Sequence, residues 1–175
     1  MATDPFLVHV ARLRRNPGAV AHEVRRGPVV LAGPLDELGI DPGRSVVPLE
    51  AEAEADITLR PFSGGIDAVG TVRAPWVGIC RRCTVPVSGE LAIPVSERFA
   101  DGPIGEDDDL YPIVDDTIDL GPLVRDAIVL ELPMAPLCRE DCRGLCPQCG
   151  ADRNESDCGC VAPVDPRWAN LDVLR

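Results

Sequence analysis

Leu49-Glu-Ala-Glu-Ala-Glu-Ala-Asp-Ile-Thr-Leu59 decides the fold class. Leu49, Ala51, Ala53, Ala55, Ile57 and Leu59 alternate with Glu50, Glu52, Glu54, Asp56 and Thr58. A period of two sends every acid to one face of an extended chain. Ala and Glu individually favour helix, but a helix would spread these acids around its circumference and set Glu50 and Glu54 at a repelling i,i+4 spacing. The strand is the better solution. Downstream, Ser63-Gly64-Gly65 turns the chain into a second candidate strand, Ile66 to Ile79, and Val85, Val87, Leu91, Ile93, Val95 and Phe99 mark a third. Three sequential extended segments with short links predict an antiparallel meander sheet or small barrel.

The segments on either side fill out an α+β, mainly β, architecture. Leu120, Leu123, Val124, Ala127 and Ile128 follow i, i+3, i+4, i+7, i+8, which predicts one amphipathic helix packed on the sheet, with Pro122 in its first turn. Leu132-Pro-Met-Ala-Pro136 ends it. Residues 1–26 form a basic segment, with Arg12, Arg14, Arg15, Arg25 and Arg26 against Asp4 and Glu23. Phe6 to Val10 could start a strand, Asn16-Pro-Gly18 reads as a turn, and the arginines read as a solvated basic face before an RNA contact. Asp36 to Arg44 is expected to be loop. Residues 101–119 carry Asp101, Glu106, Asp107, Asp108, Asp109, Asp115, Asp116 and Asp119 without a base, an expected acidic loop that could dock a basic partner. Asp165-Pro166 offers an N-cap and first-position proline for a short terminal helix carrying Trp168, Leu171 and Leu174. The expected division is a β-rich core, 1–137, and a cysteine-rich segment plus terminal helix, 138–175, packed on it. No internal repeat is evident.

Composition narrows the function. The 175 residues are 45% hydrophobic, enough for a core. Their 29 acids and 17 bases give a net charge of −12, which disfavours a free-standing nucleic-acid binder. Every base is Arg, so Schiff-base and P-loop chemistry, which need a lysine amine, are excluded. Aromatic residues, 3% of the chain, are too few for a base-stacking platform. No apolar run approaches the roughly 20 residues that span a bilayer. Arg12, Arg14 and Arg15 interrupt the only N-terminal apolar stretch, so no signal peptide is read and a cytoplasmic protein is expected.

Eight cysteines in a reducing compartment point to metal before disulfide. Cys146-Pro-Gln-Cys149-Gly150 is the strongest signal, because two thiolates three positions apart can grip one ion from a tight turn. A thioredoxin-type redox pair would need a strand-to-helix setting that is missing here. The partition we adopt joins Cys80 and Cys83 to Cys138 and Cys142, and Cys146 and Cys149 to Cys158 and Cys160, giving two structural Zn2+ sites. A rival grouping places Cys138, Cys142, Cys146 and Cys149 around one ion. A four-thiolate zinc unit carries a formal charge of −2, which Arg81, Arg82, Arg139, Arg143 and Arg153 can offset. His9 and His22 lack metal-ligand spacing, and no catalytic motif is present, so no enzyme and no small-molecule substrate are expected.

Gly70-Thr-Val-Arg73 leading to Cys80-Arg-Arg-Cys83 is the first part of a wider pattern. It continues through Leu132-Pro-Met-Ala-Pro136, the Cys138 to Gly150 run and the closing Asp165-Pro-Arg-Trp-Ala-Asn-Leu171. Together these resemble the YceD family, the large ribosomal RNA subunit accumulation proteins, from about Phe6 to Leu174. The resemblance implies a cytoplasmic, non-enzymatic accessory factor for accumulation of 23S ribosomal RNA, linked to a zinc-binding large-subunit ribosomal protein. Members differ in how many C-terminal cysteines they hold. The acidic charge then favours a basic large-subunit ribosomal protein as partner, with ribosomal RNA as a secondary contact. A zinc-containing thiol-redox or chaperone-like protein is the alternative.

Overall fold

The computed structural model describes residues 4–29, 45–102 and 110–161. The expected terminal helix, the loop at 36–44 and positions 103–109 of the acidic loop lie outside the described residues. In chain order the elements are β1 (Leu7–His9), α1 (Ala11–Arg14), β2 (Ala21–Pro28), β3 (Glu52–Phe62) and β4 (Gly65–Ile79). They continue with β5 (Pro86–Ala100), β6 (Tyr111–Val114), β7 (Thr117–Asp119) and α2 (Gly121–Glu131).

The alternating stretch is strand β3. Ala53, Ala55, Ile57 and Leu59 are fully buried, while Glu52, Glu54, Asp56 and Thr58 take the other face. β4 and β5 form the expected antiparallel hairpin, with Ile66, Ala68, Val72, Ile93, Val95 and Phe99 in the same core. The buried stripe of α2 is Leu123, Val124 and Ile128, and these side chains join Leu120 in that core.

The topology differs from a meander. Seven strands run in the order β1-β7-β6-β5-β4-β3-β2, and β6 pairs with β5 in parallel through Phe99↔Tyr111 and Ala100↔Pro112. The sheet is curled but open, a half-barrel with β1 and β2 at its edges. The edges approach each other where Pro5 and Phe6 lie against Gly27. There is a second, one-turn helix, α1, besides the expected one.

Two segments expected to be surface turn out to be sheet. Ala21–Pro28 of the basic segment is strand β2, antiparallel to β3. Its charges are matched across the ladder: Arg26 pairs with Glu54 directly opposite, and His22 Nε2 lies 2.6 Å from Asp56 Oδ1. Opposite charges on facing strands stabilise such pairs, which gives this basic stretch its β identity. Within 101–119, residues 111–119 are the β6–β7 hairpin. Asp115 (φ 49°) and Asp116 (φ 55°) form its two-residue turn. Asp tolerates the left-handed backbone that such turns demand, so these acids act as turn residues as well as surface charge. Arg14 clamps Asp116 at 2.6 Å and also pairs with Asp101.

β3 pairs with β4 only as far as Arg73, whereas β4–β5 pairing continues from Ala74↔Leu91 to Ile79↔Pro86. The hairpin therefore runs past the sheet as a two-stranded arm. Pro75 and Pro94 stand where their strands have lost the outer neighbour, positions at which a missing N–H costs no ladder bond. The arm is propped at its side by Val46, which exchanges backbone hydrogen bonds with Val77 at 2.8 and 2.9 Å.

Gly70 stands opposite Ile57 with the β3 backbone close against it. A Cβ there would overlap the Asp56 carbonyl oxygen and lie 2.9 Å from Ile57 Cα. Gly70→Val is therefore expected to destabilise the fold by roughly 3 kcal/mol, while Val69→Ala, on the exposed neighbouring position, costs under about 1 kcal/mol. Denaturant midpoints of the two variants check this.

Candidate metal centres

The arm ends in the turn Cys80-Arg-Arg-Cys83-Thr84. Thr84 N–H donates to the Cys80 carbonyl at 2.9 Å, Cys80 N–H donates to the Val85 carbonyl at 2.8 Å, and Thr84 takes φ 61°. Cys146-Pro-Gln-Cys149-Gly150 repeats this construction: Gly150 N–H to Cys146 carbonyl and Cys146 N–H to Ala151 carbonyl, both 2.8 Å, with Gly150 at φ 73°. The chain thus carries two equivalent knuckles, an internal likeness that the sequence reading missed. Gly150 announces its left-handed turn; Thr84 does not, because β-branched residues rarely adopt positive φ.

The knuckles gather all eight cysteines into two groups. Cys80, Cys83, Cys138 and Cys142 form one and Cys146, Cys149, Cys158 and Cys160 the other, with the sulfurs of each group within 4.8 Å of one another. This is the grouping adopted from the sequence; the rival set around Cys138, Cys142, Cys146 and Cys149 is not brought together. Metal–sulfur bonds of about 2.3 Å in a tetrahedron place the sulfurs about 3.8 Å apart. Cys80 and Cys142 Sγ are 3.8 Å apart and Cys83 and Cys138 Sγ 3.6 Å, well outside disulfide length, and all eight cysteines are free. The donor sets fit one metal ion each.

Local hydrogen bonding builds the first tetrad around the arm. Arg81 N–H donates to the Pro136 carbonyl at 2.9 Å, and Arg82 Nη1 reaches the carbonyls of Cys142 (2.9 Å) and Glu140 (3.2 Å). These contacts dock the chain leaving α2 onto the knuckle. Gly144, at φ 71°, lies so close that a Cβ would sit 2.8 Å from the Arg82 carbonyl oxygen, and the following Leu145 N–H donates to that same oxygen at 2.9 Å. Cys80, Cys83 and Cys142 are buried, with Val87 and Leu145 packed on them. The second tetrad is more open: Cys146 is buried, Cys158 half-buried, and Cys149 and Cys160 are exposed. The arginines near the turns mainly hold carbonyls and neighbouring side chains. Arg139, for instance, donates to Asn154 Oδ1 at 2.8 Å and pairs with Asp141 at 3.3 Å. Neither histidine is in a tetrad, His9 being bonded to Thr117 and His22 to Asp56.

The electrostatics of each tetrad are divided. Burial opposes ionisation of Cys80, but the N–H groups of Cys138, Cys83 and Arg82 outweigh it and bring its pKa down to about 6. Cys142 is lowered too, against its burial, by the Gly144 N–H and the Asn154 side chain. In the second tetrad the Cys149 and Gln148 N–H groups and the Cys158 side chain bring Cys146 down to about 6. Cys138 is pushed up to about 12 by burial and by its neighbouring sulfurs, and Cys160 to about 12 by Cys149, Cys158 and Cys146. Thiolate character is preformed at Cys80, Cys142 and Cys146, while Cys138 and Cys160 resist ionisation unless a cation cancels the repulsion.

Residues 68–175 match the family model described as large ribosomal RNA subunit accumulation protein YceD. The chain belongs to the YceD family. The match takes in the arm, α2 and both tetrads. A Mycobacterium tuberculosis protein is 38% identical over 175 residues, covering 96% of this chain and 80% of its own. YlbN of Bacillus subtilis is 34% identical over 135 residues, 75% of this chain and 76% of its own. A maize protein named large ribosomal RNA subunit accumulation protein YCED homolog 1, chloroplastic, is 27% identical over 161 residues, 73% of this chain and 53% of its own. No solved structure matches. No helix among the described residues is long and apolar enough to cross a membrane.

The shifted thiols give a pH signature. As pH rises, the metal-free protein should release protons from Cys80 and Cys146 near pH 6, while Cys138 and Cys160 stay protonated to about pH 12. The two depressed thiols stabilise the fold above the ordinary thiol value of 9.0, and that contribution fades as pH falls toward 6. Ultraviolet thiolate absorbance against pH reads the steps; a single transition of all thiols near 9 contradicts the division.

Proposed function

We propose that this YceD-family protein is a non-enzymatic cytoplasmic accessory factor in large ribosomal subunit biogenesis, supporting 23S ribosomal RNA accumulation by holding a basic large-subunit ribosomal protein. Family membership carries the reading, supported by the maize relative's name. The proposed occupant of each tetrad is Zn2+, since four soft thiolates at tetrahedral spacing suit that ion and fill its coordination sphere. The ion would staple backbone together and neutralise thiolate charge; the residues themselves supply the shape. Cys80, Cys83, Cys138 and Cys142 fasten the arm to the chain after α2, and Cys146, Cys149, Cys158 and Cys160 close the following loop.

Charge favours a protein partner over RNA as the direct contact. Arg14, Arg25, Arg26, Arg98 and Arg125 are paired with acids, and Arg82 and Arg139 hold groups around the first tetrad. Phosphate binding needs cations free to displace counterions. Surplus charge is negative: a net of −12, with Glu50 and Glu52 exposed at the start of β3 and four consecutive acids at 106–109 of the sequence. Such an excess of negative charge steers a basic ribosomal protein and shields its positive charge. A thiol-redox role is the weaker reading, because low-pKa Cys146 sits among three other sulfurs and not beside a single resolving thiol.

Pull-down with the purified chain tests the reading. A basic large-subunit ribosomal protein should be retained after RNase treatment and released as salt rises. Retention that disappears with RNase would overturn protein binding in favour of direct RNA contact.

A further inference from the structure

Asn154 belongs by sequence to the loop of the second tetrad, between Cys149 and Cys158, yet its side chain reaches a ligand of the first. Nδ2 lies 3.5 Å from Cys142 Sγ. The amide's orientation is fixed by its other bonds. Oδ1 accepts from the Arg143 N–H at 2.7 Å and from Arg139 Nη2 at 2.8 Å, so the oxygen cannot exchange places with the nitrogen without losing both. Nδ2 also donates to Asp152 Oδ1 at 2.7 Å, and the same carboxylate accepts the Asn154 N–H at 2.8 Å. The loop is held in turn by the second knuckle: Cys146 N–H bonds the Ala151 carbonyl, and Arg153 N–H bonds the Gly144 carbonyl at 2.9 Å.

We propose that Asn154 is a positioning residue that couples the two metal centres. Closure of the second tetrad sets the loop that presents Nδ2 to Cys142, and the N–H···S contact holds that sulfur aimed into the first tetrad. Groups that hydrogen-bond a ligand typically alter metal affinity by 10–100-fold. The second centre is the more exposed of the two, so filling it strengthens a site with three buried cysteines that it does not touch through any ion of its own. By reciprocity, filling the first strengthens the second. The inference rests on the metal reading of the tetrads.

Competition between the full-length protein and a chromophoric chelator for Zn2+, with Co2+ as spectroscopic probe, tests it. Asn154→Ala should weaken one of two sites about tenfold, leave the other near its wild-type value, and shift the sulfur-to-Co2+ charge-transfer band of the weakened centre. Asn154→Asp keeps an acceptor for Arg143 but loses the donor to sulfur, and should weaken the same site at least as much. The Cys158→Ser/Cys160→Ser variant, reading the first tetrad alone, should show the same tenfold loss, and adding Asn154→Ala to it should cost little more. Full wild-type affinity of the first tetrad without the second, or a further tenfold loss on adding Asn154→Ala, overturns the coupling. A wild-type chain that binds no metal overturns instead the reading beneath it.

Discussion

The structure depends on holding a two-stranded arm that the sheet does not support. Beyond Arg73 the β4–β5 hairpin has no third strand among the described residues, and an isolated hairpin of this kind is marginal in water. Its turn must also keep Thr84 at positive φ, a conformation a β-branched side chain resists. Three attachments answer this need: the Val46–Val77 backbone exchange, the bonds of Arg81 and Arg82 to the chain after α2, and the gathering of Cys80 and Cys83 with Cys138 and Cys142. The first two are a few hydrogen bonds, each worth about 1 kcal/mol net. With a metal ion held as proposed, the tetrad would be the attachment with enough energy to fix the arm, because metal binding free energy at such sites becomes folding free energy.

From that fixed point the second module follows with little freedom. Only Arg143, Gly144 and Leu145 separate Cys142 from Cys146, and Gly144 and Leu145 are pressed onto the Arg82 carbonyl. The second knuckle is therefore placed by the first, and its loop returns to the first through Asn154. The core beneath is built by ordinary apolar burial, with the two open edges of the half-barrel drawn together by Pro5 and Phe6 against Gly27. Arg14, Arg25 and Arg26 of the N-terminal segment pair with acids of the same chain, so part of that segment's basic character is spent within the molecule.

Legibility in the sequence tracked how local the deciding physics was. The alternation of Leu49 to Leu59, the β4–β5 hairpin and the stripe of α2 are governed by neighbours a few positions away and can be read directly; ligand spacing points the eight cysteines to metal but leaves two groupings open, because Cys80 and Cys83 meet Cys138 and Cys142 only through the fold. β2 could not, since Ala21 to Pro28 has mixed charge and no apolar alternation; its strand identity comes from pairing with Glu54 and Asp56, some thirty residues distant. Asp115 and Asp116 looked like part of an acidic run because their role, a left-handed two-residue turn, depends on Ile113 and Ile118 finding one core. The parallel β5–β6 contact and the return of β1 to β7 are likewise long-range pairings without a local mark. Thr84 and Asn154 were silent for the same reason: one imitates glycine, and the other acts on a sulfur twelve positions away.

Native mass spectrometry of the purified full-length chain confronts the account most directly. Two zinc ions per chain, lost together with the arm's protection from hydrogen exchange when a chelator or acid is applied, are the predicted result. A metal-free mass with the arm still protected, or a mass lowered by sulfur–sulfur bond formation within the tetrads, would contradict it.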